Sequence, residues 1–178
     1  MKAEAPKYAP GDPLAGRHEI GALVDDTQMR TVLGYIDAGV SEGARVLSGG
    51  RRALSETGGF YVEPTVFDGV TNTMKIAREE IFGPVLAVIR FSDEAEAVRQ
   101  ANDSPYGLQA SVWSDNINRV HRVARALRAG TVHVNQYDED DITVPFGGFK
   151  QSGNGRDKSL HAFDKYTELK TTWIRIDG

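Results

Sequence analysis

The chain has 178 residues, of which 40% are hydrophobic and 26% are charged, and its formal net charge is −4. This composition is close to that of an ordinary soluble protein, and the acidic balance argues against nucleic acid as a partner. The chain contains no cysteine, which excludes disulfides, thiolate metal ligands and a thiol nucleophile within these residues.

No apolar run approaches the roughly 20 residues that a membrane-spanning helix needs. The first residues, Met1 to Pro6, show neither the apolar core nor the cleavage pattern of a signal peptide. We therefore predict a cytoplasmic protein that does not contact a membrane.

The first elements in chain order are an irregular lead-in over residues 1–22 and a helix over 27–43. Prolines and glycines are frequent in the lead-in, whereas the helix is indicated by apolar residues at spacings of three and four. These are Met29, Val32, Leu33, Ile36 and Val40. Gly34 and Gly39 each weaken such a helix by about 1 kcal/mol relative to alanine.

Strands are predicted next, at Arg45–Ser48 and Phe60–Phe67, with glycine-rich turns between them. Val85–Phe91 is a nearly continuous apolar run, which is typical of a strand covered on both faces. Ser92 and Asp93 offer capping oxygens for a helix that continues to Ala101.

The pattern then alternates between strands and helices. Strands are predicted at Gln109–Trp113 and Thr131–Asn135, and Asn116 caps a helix between them that Gly130 closes. The apolar stripe of that helix consists of Ile117, Val120, Val123, Ala124 and Leu127. Three strands joined by two helices predict parallel strands with right-handed crossovers, and therefore an α/β fold.

After Asn135 a loop of about twenty residues begins, and a loop of this length is usually functional or disordered. A short helix near Ser159–Lys165 and a final strand at Glu168–Ile174 are predicted to end the chain. The predicted division is a lead-in over 1–22, an α/β portion over 23–157, and a C-terminal helix and strand over 158–178.

The glycine-rich segment Pro145–Arg156 does not match a phosphate-binding loop. Asn154 follows Gly153 where a Walker loop needs lysine, and Lys150 stands where a nucleophile elbow around Ser152 needs glycine. These glycines serve either close backbone packing or direct ligand binding. The four histidines, at 18, 121, 133 and 161, show no metal-ligand spacing.

Two acidic clusters have open interpretations. Taken alone, Glu79 and Glu80 are a pair of the kind that is usually solvated surface, but their place just before a sharp Phe-Gly-Pro turn into a buried strand favours a functional role. The acids at 138–141 either steer cations toward whatever the loop covers or form an exposed, solubilising loop.

Several motifs in a fixed order resemble the C-terminal part of aldehyde dehydrogenases. They are Gly11–Leu14, Ile20-Gly21, Glu42–Ala44 with Gly49-Gly50, Gly59–Val66, Glu79–Val85, Asn102–Ser104 with Tyr106–Leu108, and Pro145–Arg156. Within the family, Tyr137–Asp141 and Asn154–Leu160 are most similar to the putrescine-pathway members that oxidise γ-glutamyl-γ-aminobutyraldehyde. The resemblance implies the parallel-stranded catalytic portion of that fold, with a C-terminal strand for oligomerisation.

The resemblance also implies contacts to NAD or NADP in the parent enzyme, a cofactor that this chain alone is not expected to bind tightly. By it, Glu80 holds the nicotinamide ribose hydroxyls, Phe82 lies beside the nicotinamide ring, and Gln28 contacts the cofactor. Thr31 stands where the family has a lysine near that glutamine.

By the same resemblance, the loop 136–144 lines the aldehyde entrance. Its side chains would suit an amine-bearing or cationic aldehyde, and they are Tyr137, Asp138, Glu139, Asp140 and Asp141. Lys150 and Gly153 fall where some members bind a monovalent cation through main-chain oxygens. Residues 168–174 match a strand that joins a neighbouring subunit's sheet, which implies a homo-oligomer.

The resemblance places the nucleophilic cysteine, the general base and the dinucleotide-binding glycines upstream of these residues. Two hypotheses follow. The first is a C-terminal fragment of an NAD(P)-dependent aldehyde dehydrogenase, inactive by itself because it has no nucleophile. The alternative is a non-catalytic assembly module.

Overall fold

The computed structural model describes residues 3–16, 18, 20–137 and 141–178, and it divides into two compact units, Met1–Ser92 and Asp93–Gly178. The boundary between the units falls inside the 23–157 range expected from the sequence. The division into 1–22, 23–157 and 158–178 stays a prediction.

Four α-helices and seven strands are present among the described residues. The helices are α1 (Asp26–Ser41), α2 (Lys75–Arg78), α3 (Glu94–Asn102) and α4 (Ile117–Ala126). The strands are β1 (Arg45–Ser48), β2 (Arg52–Ala53), β3 (Tyr61–Val62), β4 (Thr65–Asp68), β5 (Val85–Ala87), β6 (Gln109–Val112) and β7 (Thr131–Val134). Short 3₁₀ helices lie at Ala5–Tyr8, Pro13–Ala15, Ser55–Thr57, Lys150–Ser152 and Leu160–Lys165. No described helix has the length and apolar character that crossing a membrane requires.

Helix α1 confirms the prediction of a helix over 27–43. Asp25 caps it, with its Oδ1 accepting a hydrogen bond from the Gln28 amide at 2.7 Å. Met29, Val32 and Ile36 are buried, as the spacing predicts, but Val40 is 53% exposed. Gly39 is the buried residue of the last turn instead.

The first unit is built on a three-stranded sheet in the order β1-β4-β5. β4 runs antiparallel to β1 and parallel to β5, with Thr65 opposite Val85. β2 and β3 form a separate antiparallel pair. Packing of α1 and α2 against these strands buries one apolar core, which consists of Met29, Val32, Ile36, Ala44, Val62, Phe67, Val70, Ile76 and Ile81.

Two predicted strands are shorter in the structure. The strand predicted over Phe60–Phe67 is two strands, β3 and β4, interrupted at Glu63 and Pro64 because a proline has no amide hydrogen for a ladder. The strand predicted over Val85–Phe91 ends at Ala87. It is not covered on both faces, since Leu86 is 47% exposed.

The second unit contains the parallel pair β6 and β7, with Gln109 opposite Thr131. The predicted helices α3 and α4 are confirmed with their caps: Asp93 accepts from Glu96 N at 2.8 Å, and Asn116 from Arg119 N at 3.0 Å. The expected run of three parallel strands is wrong in its pairing. β5 instead completes the first unit's sheet, so each unit has its own parallel pair.

The C-terminal segment differs from its prediction as well. The helix near Ser159–Lys165 is present as the 3₁₀ helix Leu160–Lys165, capped by Ser159. No strand forms at Glu168–Ile174, and none of these residues pairs with a strand in the described part of the chain. A β-strand needs a hydrogen-bonding neighbour, and one chain provides none here.

Candidate functional site

The turn between α2 and β5 presents two side chains to solvent. Glu80 and Phe82 are exposed, Phe82 to 78%, whereas Ile81 between them is buried in the core at 9% exposure. Phe82 has φ of +52°, in the left-handed region that bulky residues rarely adopt. The surrounding contacts must therefore hold this backbone in place.

Every carbonyl of the turn from Ile81 to Pro84 accepts a hydrogen bond. The side-chain nitrogen of Gln28 donates to Ile81 O at 3.1 Å and to Phe82 O at 2.9 Å. Backbone amides satisfy the other two, Val85 N on Gly83 O at 2.7 Å and Thr65 N on Pro84 O at 2.8 Å. At about 1 kcal/mol each, two hydrogen bonds from Gln28 match the cost of about 1–2 kcal/mol for a left-handed residue.

Gly83 allows the turn to lie directly on α1. A Cβ atom on Gly83 would stand 2.5 Å from Cγ2 of Val32, which is fully buried. Any larger residue at position 83 would push the turn away from the helix. The close approach brings Gln28, one helical turn before Val32, within reach of the carbonyls.

The two glutamates of the sequence pair have different environments. Glu79 Oε2 accepts a hydrogen bond from the Tyr35 hydroxyl at 2.8 Å and lies 3.9 Å from Lys75 Nζ. The Lys75 ammonium also lies over the Tyr35 ring, 4.9 Å from its centroid. Glu80 has no hydrogen-bond or ion-pair partner among the described residues. Of these two glutamates, Glu80 alone has a carboxylate without a partner in the part of the chain that the structure describes.

The structure brings Gln28, Glu80 and Phe82 to one place, and their contacts to a cofactor stay a prediction. Gln28 contacts the turn itself, which the sequence analysis missed because the partners are 53 and 54 residues apart. No local pattern signals such a bond. Thr31 uses its hydroxyl within the helix, donating to Thr27 O at 2.9 Å.

The predicted aldehyde-entrance loop is described only at its ends. Tyr137 is 69% exposed, and Asp141 accepts hydrogen bonds from the backbone amide and the hydroxyl of Thr143, each at 2.7 Å. These bonds, the backbone one first, lower the pKa of Asp141, so it is ionised at neutral pH. Asp138, Glu139 and Asp140 lie outside the described residues.

The predicted monovalent-cation position lies at the 3₁₀ helix Lys150–Ser152. The Lys150 carbonyl accepts a hydrogen bond from Gly153 N at 3.3 Å. The Lys150 ammonium donates to Asn102 O at 2.8 Å and Ser104 O at 2.9 Å, near the end of α3. Within the described residues no three acidic or histidine side chains cluster as metal ligands. A cation bound through Lys150 and Gly153 stays a prediction.

Comparison with known proteins identifies the family of the chain. The sequence model of the aldehyde dehydrogenase family matches residues 1–172. The chain belongs to the aldehyde dehydrogenase family.

Three known proteins illustrate the similarity. The chain is 48% identical to the NADP/NAD-dependent aldehyde dehydrogenase PuuC of Escherichia coli (strain K12), over 100% of this chain and 35% of the relative. It is 64% identical to P. syringae AldA, an indole-3-acetaldehyde dehydrogenase solved in complex with NAD+, with a TM-score of 0.92 over 96% of this chain and 34% of that one. Against the gamma-glutamyl-gamma-aminobutyraldehyde dehydrogenase from Burkholderia cenocepacia J2315 the identity is 61% and the TM-score 0.91, with 96% and 34% covered.

These comparisons confirm the predicted family and the mixed α/β fold with parallel strand pairs. The narrower resemblance is confirmed too, because a gamma-glutamyl-gamma-aminobutyraldehyde dehydrogenase is among the similar structures. The chain spans about a third of the length of the relatives it matches.

Proposed function

We propose that this chain forms the nicotinamide-binding edge of an NAD(P)-dependent aldehyde dehydrogenase that oxidises an amine-derived aldehyde to its acid. The observation that carries the proposal is the unpaired Glu80 carboxylate beside the exposed Phe82 ring, on a turn whose carbonyls are all hydrogen-bonded. A free carboxylate next to an aromatic face fits a ribose attached to a flat, positively charged ring.

Each residue has a distinct part in the proposal. The two oxygens of Glu80 accept hydrogen bonds from the ribose hydroxyls, and the Phe82 ring packs against the nicotinamide and excludes water from it. When bound, NAD(P)+ supplies the hydride acceptor. As a separate protein the 178-residue chain has no cysteine to act as the nucleophile, so we expect no NADH from it with any aldehyde.

The proposed aldehyde class rests on the entrance loop. Asp141 is ionised and Tyr137 is exposed, and the sequence adds three more acids between them. An anionic, aromatic surface favours an amine-bearing aldehyde over a neutral or acidic one. The names of the relatives do not identify the aldehyde, since one relative is an indole-3-acetaldehyde dehydrogenase and another is a gamma-glutamyl-gamma-aminobutyraldehyde dehydrogenase.

The glutamate pair provides a matched test of cofactor binding. Because the chain alone should bind NAD+ only weakly, we expect a large excess of NAD+ to shift the amide signals of residues 80–83 in the ¹⁵N-labelled chain. Glu80→Gln should weaken binding about tenfold, because a charge-assisted hydrogen bond contributes roughly 1.5–3 kcal/mol. Glu79→Gln, one residue away, should leave the dissociation constant within about twofold because the Glu79 carboxylate is held by Tyr35. Equal losses in the two variants, or no shifts in the unmodified chain, would refute the proposed role.

A second candidate function, assembly into a homo-oligomer, is supported by the C-terminal segment. Leu169, Trp173 and Ile174 are almost fully exposed, with Trp173 at 93%, in a segment that forms no strand by itself. An extended apolar segment of this kind is suited to pairing with the sheet of another subunit. The cytoplasmic location stays a prediction.

A further inference from the structure

One glutamine nitrogen holds two consecutive carbonyls of the cofactor-side turn. Gln28 Nε2 carries two hydrogens, and the two acceptors are Ile81 O at 3.1 Å and Phe82 O at 2.9 Å. A primary amide can satisfy both carbonyls at once from a single atom. A glutamate at this position would instead place acceptor oxygens against acceptor oxygens.

The donor is itself fixed in space. Asp25 caps α1 through the Gln28 amide at 2.7 Å, and the next residue, Met29, is buried at 3% exposure. The side chain of Gln28 therefore starts from a rigid first turn of the helix. The nearby Thr31 cannot replace it, since its hydroxyl is bonded to Thr27 O.

We propose that Gln28 is a positioning residue: its amide sets the left-handed backbone of Phe82 and so the direction in which Phe82 and Glu80 point. The importance of this for cofactor binding rests on the proposed function. The amide oxygen of Gln28 accepts no hydrogen bond from the described residues, so a cofactor contact by that oxygen is compatible with the positioning role.

The first test needs no ligand. In ¹⁵N-labelled Gln28→Met, which keeps the length of the side chain without its donors, we expect residues 81–83 to become mobile. Their heteronuclear NOE values should fall and their amide shifts should move. The signals of the buried residues Ile36 and Phe67 should stay in place. Gln28→Glu is a second variant that guards against a packing effect of methionine. Glutamate keeps the shape of glutamine and removes the donors, so this variant should give the same result.

Gln100→Met is the matched control. Gln100 also donates from a helix, to Glu96 Oε1 at 2.9 Å, but it lies in the second unit. The Gln100→Met variant should leave the signals of residues 81–83 unchanged. If both variants of Gln28 leave the mobility and shifts of residues 81–83 unchanged, the positioning role is wrong.

The second test uses nicotinamide mononucleotide as the probe, since this half of the cofactor would contact the turn. We expect Gln28→Met to weaken its binding about tenfold, whereas Gln100→Met should leave it unchanged. If residues 81–83 become mobile in Gln28→Met but the unmodified chain does not bind the mononucleotide, the proposed function is overturned and the positioning role is still supported. Equal weakening in the Gln28 and Gln100 variants would show a general structural effect and overturn the positioning role.

Discussion

A buried carboxylate with two arginine partners lies at the end of β4. Asp68 is only 6% exposed, and its Oδ2 accepts hydrogen bonds from Arg45 at 2.7 Å and Arg90 at 2.9 Å. The bond from Arg90, followed by that from Arg45, lowers the pKa of Asp68 from 3.8 to about 2. The two arginines come from opposite sides of β4, so this carboxylate ties β1 to the residues that follow β5.

This pair of contacts predicts a pH-dependent stability. Because the pKa of Asp68 is lower in the folded chain, its stabilisation is present above about pH 4 and is lost as the pH falls toward the folded value of about 2. Asp68→Asn should therefore lower the urea midpoint at pH 7, and the difference from the unmodified chain should shrink between about pH 4 and 2.

Asp37→Asn provides the surface control, since Asp37 is an exposed residue of α1. It should change the midpoint little at any pH. A deficit in Asp68→Asn that persists unchanged at the lowest pH would contradict the role assigned to the Asp68 charge.

At the same scale, the sequence could predict the site only in part. Glu80 and Phe82 carry a family resemblance in their local motif, so they can be recognised without a structure. The different environments of Glu79 and Glu80 cannot be recognised from the sequence, because Glu79 is bonded by Tyr35 from α1. The role of Gln28 also depends on a contact across 53 residues, and only the folded chain brings the two segments together.

At the scale of elements, two glycines of α1 give opposite expectations. A Cβ on Gly34 meets nothing within 4 Å, whereas one on Gly39 stands 2.9 Å from Ile76 Cδ1 and 3.2 Å from Phe67 Cε1. Gly34→Ala should raise the free energy of unfolding by about 0.5–1 kcal/mol, because alanine is the better helix former. Gly39→Ala should gain less or lose stability, since the same propensity gain is offset by overpacking.

Urea unfolding of the two variants measures this difference directly. Each is the control of the other, because both are glycine-to-alanine changes in the same helix. Equal gains in the two variants would mean that α1 can shift away from β4 and α2 at no cost.

Helices were predicted better than strands in this chain, and the reason is physical. The caps Asp25, Asp93 and Asn116 bond to amides three residues further on, so their signals are local. Strand pairing is not local. The apolar run at 85–91 indicates burial but not the partner of β5, and the structure pairs β5 with β4 rather than with a later strand.

At the scale of the whole molecule, the C-terminal segment predicts association. We expect the chain to associate with increasing concentration in light scattering, through Leu169, Trp173 and Ile174. Replacing these three residues by serine should reduce the associated fraction without changing the unfolding midpoint, because they are not in the core.

The matched control replaces Leu14 and Val24, which are equally exposed but lie near the beginning of the chain. Their serine variants should associate as the unmodified chain does. Assembly through 168–174 would be contradicted if the unmodified chain stays monomeric at every concentration. It would also be contradicted if the two sets of changes have equal effects.

The outward direction of Phe82 has an evolutionary consequence. Its ring is 78% exposed, so the core of the first unit loses little packing when this side chain changes, whereas Ile81 and Val32 beside it are buried. Natural selection can therefore vary residue 82, and with it the affinity for the nicotinamide, without first having to compensate a loss of stability. The inward-facing neighbours lack this freedom, so a change at position 82 should alter nicotinamide affinity without the loss of stability that a change at 81 or 32 would cause.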